Sequence, residues 1–187
     1  MTAKVAVIVG SLRRGSINRQ VAMALARLAR PKLDLRIVEI GELPLYDQDL
    51  EAELPEPVQR FKREIEAADA VLFVTPEFNR SFSGAIKNAI EWGSRPWGRN
   101  SWAGKPGAII GATLGAVGTA AAQSQLRAVA SVLELHVMAQ PEIYLNFRDG
   151  VLADGEIADE SLRALMRGWV DRFSDWIGRL RQPALSF

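Results

Sequence analysis

The sequence predicts an α/β domain built as a three-layer sandwich, with a five-stranded parallel sheet in the order 2-1-3-4-5. Three observations predict it. Short apolar runs alternate along the chain with stretches whose apolar residues recur every three or four positions, the pattern of a parallel sheet covered by helices on both faces. No repeat, low-complexity segment or linker interrupts the 187 residues, so residues 1–187 read as one domain. The loops with unusual chemistry all follow strands, which puts them at one edge of such a sheet.

The elements follow in order. Lys4–Val9 reads as the first strand, and a helix from about Asn18 to Ala29 carries Ile17, Val21, Leu25 and Leu28 on one face. Leu33–Ile40 is a second strand, with Leu33, Leu35, Ile37 and Val38 as its apolar positions. Gly41–Leu54 is a loop, and Pro55–Ala68 a helix with Pro57 near its first turn and Val58, Phe61 and Ile65 buried. Ala70–Thr75 is a strand, Ser83–Trp92 a helix, Gly107–Thr113 a strand, Ala116–Leu133 an alanine-rich helix and Leu135–Ala139 a short fifth strand. Asp159 caps a last helix whose stripe is Leu162, Leu165, Trp169, Phe173, Trp176 and Leu180. With right-handed crossovers this is a flavodoxin-like arrangement. Its ligands bind beyond the carboxyl ends of strands one and three, where the strand order reverses.

The turn Gly10-Ser11-Leu12-Arg13-Arg14-Gly15-Ser16-Ile17-Asn18 joins the first strand to the first helix. A helix N-terminus offers unpaired N–H groups and partial positive charge. The hydroxyls of Ser11 and Ser16, the amide of Asn18 and the guanidinium of Arg13 add donors, a set that suits a dianionic phosphate. The turn lacks the Gly-Lys-Ser/Thr ending of a nucleotide P-loop and the G-x-G-x-x-G dinucleotide fingerprint. It has no cysteine to attack a phosphate. A phosphate held only by hydroxyls and amides is an anchor, which points to a phosphorylated cofactor. The loop after strand three, Thr75 to Gly84, holds Pro76, Glu77, Phe78, Asn79, Arg80 and Ser81, and can present its backbone to the edge of a planar ring. The loop after strand four, Gly111 to Thr119, holds three glycines that let backbone approach a ligand.

Composition narrows the classes. A net charge of +1 without a long basic run does not favour nucleic acid. The absence of cysteine and a single histidine, His136, exclude disulfides, thiolate sites and a multi-histidine metal centre. Pro106 to Leu126 is uncharged, but its four glycines and two glutamines read as strand, loop and helix start rather than a membrane span. No leader pattern precedes the first strand, so the expected location is cytoplasmic.

The stretches Gly10–Asn18, Pro76-Glu77-Phe78-Asn79 and Ile86-Lys87-Asn88-Ala89-Ile90-Glu91-Trp92 resemble the NADPH-dependent FMN reductase family. Gly104-Lys105-Pro106 and the run from Gly115 to Arg127 extend the resemblance over roughly residues 4 to 142. The Arg95–Trp102 loop is most similar to the ferric and quinone reductase branch. The resemblance implies bound FMN, with Ser11, Leu12, Arg13, Ser16, Ile17 and Asn18 at its phosphate and ribityl chain. Pro76, Glu77, Phe78, Asn79, Arg80 and Ser81 would meet the ring edge, and Ala112, Thr113, Gly115 and Gly118 its pyrimidine and dimethylbenzene regions. It implies ping-pong transfer of a hydride from NADH or NADPH through FMN to quinones, flavins, ferric complexes, chromate or azo compounds. It also implies a homodimer or homotetramer. Arg95 would act as the catalytic arginine over the ring or the nucleotide phosphates, or else cap the preceding helix. Trp97 and Trp102 would stack on substrate or lie at the subunit interface, where His136 could also pack. Phe78, Ser83, and the pair Ser124 and Gln125 depart from the residues usual in the family. An FMN electron carrier that does not use nicotinamide is the alternative.

Overall fold

A computed structural model describes residues 2–181. Five parallel strands form the expected order: β2 (Leu33–Val38), β1 (Ala3–Val9), β3 (Ala70–Thr75), β4 (Pro106–Thr113) and β5 (His136–Val137). Alternation along the strands serves both faces. Val5, Val7 and Val9 point to α1 (Ile17–Leu28) and α5 (Glu160–Arg181), burying Val21, Leu25, Trp169, Phe173 and Ile177. Ala6 and Ile8 point to α2 (Glu56–Glu66), α3 (Gly84–Ser94) and α4 (Ala120–Val132), burying Phe61, Ile65, Ile86, Ile90 and Leu126.

The fifth sheet position is split, which the sequence pattern does not reveal. β5 pairs only with Pro106 and Gly107, whereas a further strand, β6 (Ile143–Asn146), continues beside β4 from Ile110 to Thr113. Pro141 stands between them and has no N–H to give to a ladder. A two-stranded hairpin, β7 (Leu152–Ala153) with β8 (Glu156–Ile157), then leads into α5. α4 starts at Ala120 rather than Ala116, because Gly118 adopts a left-handed φ of 68° that ends the preceding loop.

The placements of Trp102 and His136 and one helix stripe need correction. Trp102 is wholly buried among Phe61, Phe73 and the open face of Gly93, so it neither stacks on substrate nor meets a partner. Trp97 is 87% exposed. His136 is exposed on the short edge strand rather than packed. In α5 the buried face is Met166, Trp169, Val170, Phe173 and Ile177, while Leu165 and Leu180 face solvent and Trp176 is half-buried with its indole N–H donated to the His136 carbonyl. Truncating Trp102 to Ala is expected to lower unfolding free energy by about 3–5 kcal/mol. Trp97→Ala should cost within roughly 0.5 kcal/mol. Urea denaturation of both variants checks this, and equal effects would contradict the placement.

Candidate functional site

Beyond Val9 the chain leaves the sheet in a turn that keeps its amides unpaired. Gly10 N–H still bonds to the Val74 carbonyl at 2.9 Å, and Ser16 N–H closes on the Arg13 carbonyl at 3.1 Å. Among the described residues the backbone N–H groups of Ser11, Leu12, Arg13, Arg14, Gly15, Ile17 and Asn18 have no acceptor. Ser16 is the N-cap of α1, its hydroxyl oxygen accepting from Arg19 N–H at 3.1 Å, which leaves the hydroxyl proton to donate. The Ser11 hydroxyl and the exposed Arg13 guanidinium also have no partner among the described residues. Arg19, by contrast, is paired to Glu39, and that hydrogen bond holds the Glu39 carboxyl below the usual carboxylate range. This end of α1 is a cradle of donors with a helix dipole behind it, and it fits a phosphate.

Asn18 does not join the cradle as expected. Its carboxamide is buried and bonds both sides of one residue of β4: Nδ2 donates to the Ala112 carbonyl at 2.8 Å, and Oδ1 accepts from Ala112 N–H at 2.9 Å. Asn18 therefore positions α1, and Ala112 has neither backbone group to spare for a ligand. Ile17 packs into the core and contributes only its backbone amide, while Leu12 stands exposed at the mouth.

The second loop is a tight turn. Phe78 and Ser81 exchange both backbone hydrogen bonds, at 2.9 and 2.8 Å, around Asn79 and Arg80 at φ values of 50° and 65°. Two successive non-glycine residues in the left-handed region are costly, on the order of 1–3 kcal/mol each. Gln125 on α4 holds them there: its Nε2 donates to the Arg80 carbonyl at 2.6 Å and its Oε1 accepts from the Ser81 hydroxyl at 2.7 Å. Glu77 Oε2 accepts from Ala122 N–H at 3.1 Å, capping α4 in place of Thr119, whose side chain caps nothing. Glu77 is thus a tie between loops, and Phe78, 63% exposed, offers its ring at the surface.

The third loop keeps the amides of Leu114, Ala116 and Val117 unpaired among the described residues. Asn146 on β6 fixes its path by donating to the carbonyls of Leu114 and Gly115, at 3.1 and 2.7 Å. Gly118 is required: a Cβ there would stand 2.7 Å from the Tyr144 carbonyl oxygen. Burial, and then the hydrogen bond to Glu142, push the Tyr144 hydroxyl up to about 12, so it stays protonated beside this loop. The second and third loops enclose a cleft of about 320 Å³ lined by Glu77, Asn79, Arg80, Thr113, Gly115, Ala116, Val117 and Gly118. Gly10 closes the arrangement, since a Cβ there would meet Ile86 Cδ1 and Ser83 Oγ, each at 2.6 Å, at the start of α3. A cradle for phosphate beside a polar-edged cleft for a ring fits FMN.

The family described as NADPH-dependent FMN reductase matches residues 3–149. The chain belongs to that family. Similar proteins include the 2-hydroxy-1,4-benzoquinone reductase of Burkholderia sp, 48% identical over 178 residues that cover 95% of this chain and 97% of that one. The quinone reductase of Pseudomonas putida is 48% identical over 92% and 94% of the two chains. Among solved structures, the flavoenzyme NAD(P)H:(acceptor) oxidoreductase FerB from Paracoccus denitrificans superposes with a TM-score of 0.92 at 45% identity, covering 95% and 98%. This member of the family is accordingly an oxidoreductase, with FMN as cofactor and NAD(P)H as co-substrate.

The structure does not bring Arg95 to the cleft. It is the C-cap of α3, whose eleven residues span about 16 Å from the loop that opens it. Its guanidinium lies 5.7 Å from the centre of the Trp97 ring instead. Gln125 and Asn146 are the site-forming residues that sequence reading misses. The first carries no motif signal for this contact, and the second lies on the unforeseen strand. Gln125→Ala is expected to speed hydrogen exchange at the Ser81 amide about tenfold, equivalent to roughly 1.4 kcal/mol for the two lost bonds. Unchanged exchange would show that the turn holds itself.

Proposed function

We propose that this FMN reductase catalyses NAD(P)H-dependent reduction of quinones, with free flavin, ferric complexes, chromate and azo compounds as further acceptors by access to the same open cleft. The observation that carries the reading is the donor cradle at Leu12–Asn18 opening beside the cleft between Glu77 and Gly118. The relatives named quinone reductase support the acceptor class. Ser11, Arg13, Ser16 and the free amides of the cradle hold the FMN phosphate. Residues Pro76 to Ser81 bound the ring on one side, and Thr113, Gly115 and Gly118 bound it on the other. Bound FMN would supply the hydride and electron chemistry between the nicotinamide and the acceptor, the two substrates being taken in turn on a ping-pong scheme. The unpaired amides of Leu114, Ala116 and Val117 can stabilise negative charge on the pyrimidine half of the ring. No paired carboxylate or triad is needed, and Glu77 is committed to its bond with Ala122. Trp97 and Leu45, 87% and 84% exposed, support self-association as a dimer or tetramer.

Purified protein loaded with FMN should show flavin bands near roughly 370 and 450 nm that bleach on anaerobic addition of NADH or NADPH and return on addition of a benzoquinone. Bands that persist with both nucleotides would point to an electron carrier. Arg13→Ala should weaken FMN retention about tenfold, the loss of one exposed charge-assisted contact, by fluorescence titration. Unchanged affinity would count against the phosphate assignment.

A further inference from the structure

A second cleft, of about 450 Å³, opens away from these loops. Lys32 on its rim directly precedes β2, which places the cleft at the amino-terminal edge of the sheet, opposite the flavin loops. The last turn of α1 forms one wall, the first half of α5 another, and the β7–β8 hairpin closes the side. Leu28, Ile157 and Val170 give it an apolar floor. Its walls carry Arg27, Arg30, Lys32, Arg163 and Arg167 against two acids, Glu156 and Asp171.

Some of these charges have work inside the fold. Lys32 pairs with Asp171. Arg27 Nη1 donates to the carbonyls of Asp154 and Gly155, at 3.1 and 2.8 Å, and Arg163 Nε donates to the Ile157 carbonyl at 2.7 Å. Gly155 makes room for this, since a Cβ there would stand 2.3 Å from Arg27 Nη1. The carbonyls orient these two guanidiniums; Arg163 also meets the exposed Glu160 carboxylate at 3.9 Å, whereas Arg27 pairs with no carboxylate among the described residues. Arg30 and Arg167 do neither job: among the described residues they meet no carboxylate within ion-pair distance and hold no part of the hairpin. They add like charge where Arg27 and Arg163 already stand, which the fold alone does not require. A planar guanidinium matches two oxygens of a phosphate, and several around one cleft form a phosphate site. Arg163 and Arg167 stand in the first two turns of α5, at its positive end, while Arg27 and Arg30 offset the negative end of α1. The volume falls in the range of small-molecule sites, roughly 300–1,000 Å³.

We propose that this cleft binds a small organic phosphate, its phosphoryl group held by Arg30 and Arg167 beside Arg27 and Arg163 and its apolar body resting on Leu28, Ile157 and Val170. The proposal is independent of the flavin reading. The FMN-saturated protein, in which the cradle at Leu12–Asn18 is filled, is titrated calorimetrically with phenyl phosphate and with pyrophosphate. One-to-one binding is expected, weakened by added salt and weakened at least tenfold in the Arg30→Glu/Arg167→Glu double variant. FMN content and quinone reduction should be unchanged in that variant, since neither arginine lies near the flavin loops. Arg30→Lys/Arg167→Lys, which keeps the charge but loses the fork, should bind with intermediate affinity. Equal binding to wild type and the Glu variant, or none to either, would overturn the site. Vesicles of phosphatidylcholine with phosphatidylglycerol separate the other source of phosphate. Retention on vesicles without phenyl phosphate binding would assign the cations to a lipid surface and overturn the small-ligand site.

Discussion

Two hydrogen bonds between the Asn18 carboxamide and the backbone of Ala112 hold the functional edge of this protein together. They link the first turn of α1 to the end of β4, 94 residues apart in sequence. Both bonds are buried, so breaking them would leave the Ala112 N–H and carbonyl without partners, at about 1–3 kcal/mol for each group. The helix whose amino end carries the donor cradle is therefore fixed against the strand whose loop borders the cleft. The other ties depend on the same frame. Glu77 and Gln125 fasten the second loop to α4, and Asn146 fastens the third loop to β6.

This cross-tying explains how so many backbone donors stay open. The open amides of the first turn and of the third loop make no bond within the described residues. At an exposed edge water can satisfy them, so leaving them free costs little. A ligand that replaces that water meets donors already in position and spends little on ordering the loops. The strained turn at Asn79 and Arg80 follows the same logic, because Gln125 maintains a backbone shape that these residues would not adopt alone. The side chains that resemblance assigns to the ligand divide into two groups. Ser11, Arg13 and Ser16 keep side-chain donors free in the first turn, whereas Asn18, Ala112 and Glu77 hold the frame.

Most of the fold was legible in the sequence. The 2-1-3-4-5 sheet followed from alternation of strand and helix, because each buried strand and amphipathic helix carries its own periodicity. The split of the last sheet position was not, since β5 and β6 are too short to show a period and Pro141 separates them. The loops that form the site were legible as glycine- and hydroxyl-rich breaks after strands. Their tertiary partners were not: Gln125 and Asn146 are polar residues with no local pattern, chosen by what lies across the edge. Arg95 stands apart from the cleft of its own chain for a related reason. Its nearness to the Ile86–Trp92 motif is nearness along a helix, and that helix leads away from the cleft.

The most direct measurement compares FMN with riboflavin for affinity to the apoprotein, by quenching of flavin fluorescence. The two ligands share a ring and a ribityl chain and differ only in the phosphate. If the open amides at Leu12–Asn18, with Ser11, Arg13 and Ser16, hold that group, FMN should bind at least about a hundredfold more tightly. That corresponds to roughly 2.7 kcal/mol, or two charge-assisted hydrogen bonds. Equal affinity for the two flavins would contradict the account, because the turn after β1 would then have no part in holding the cofactor.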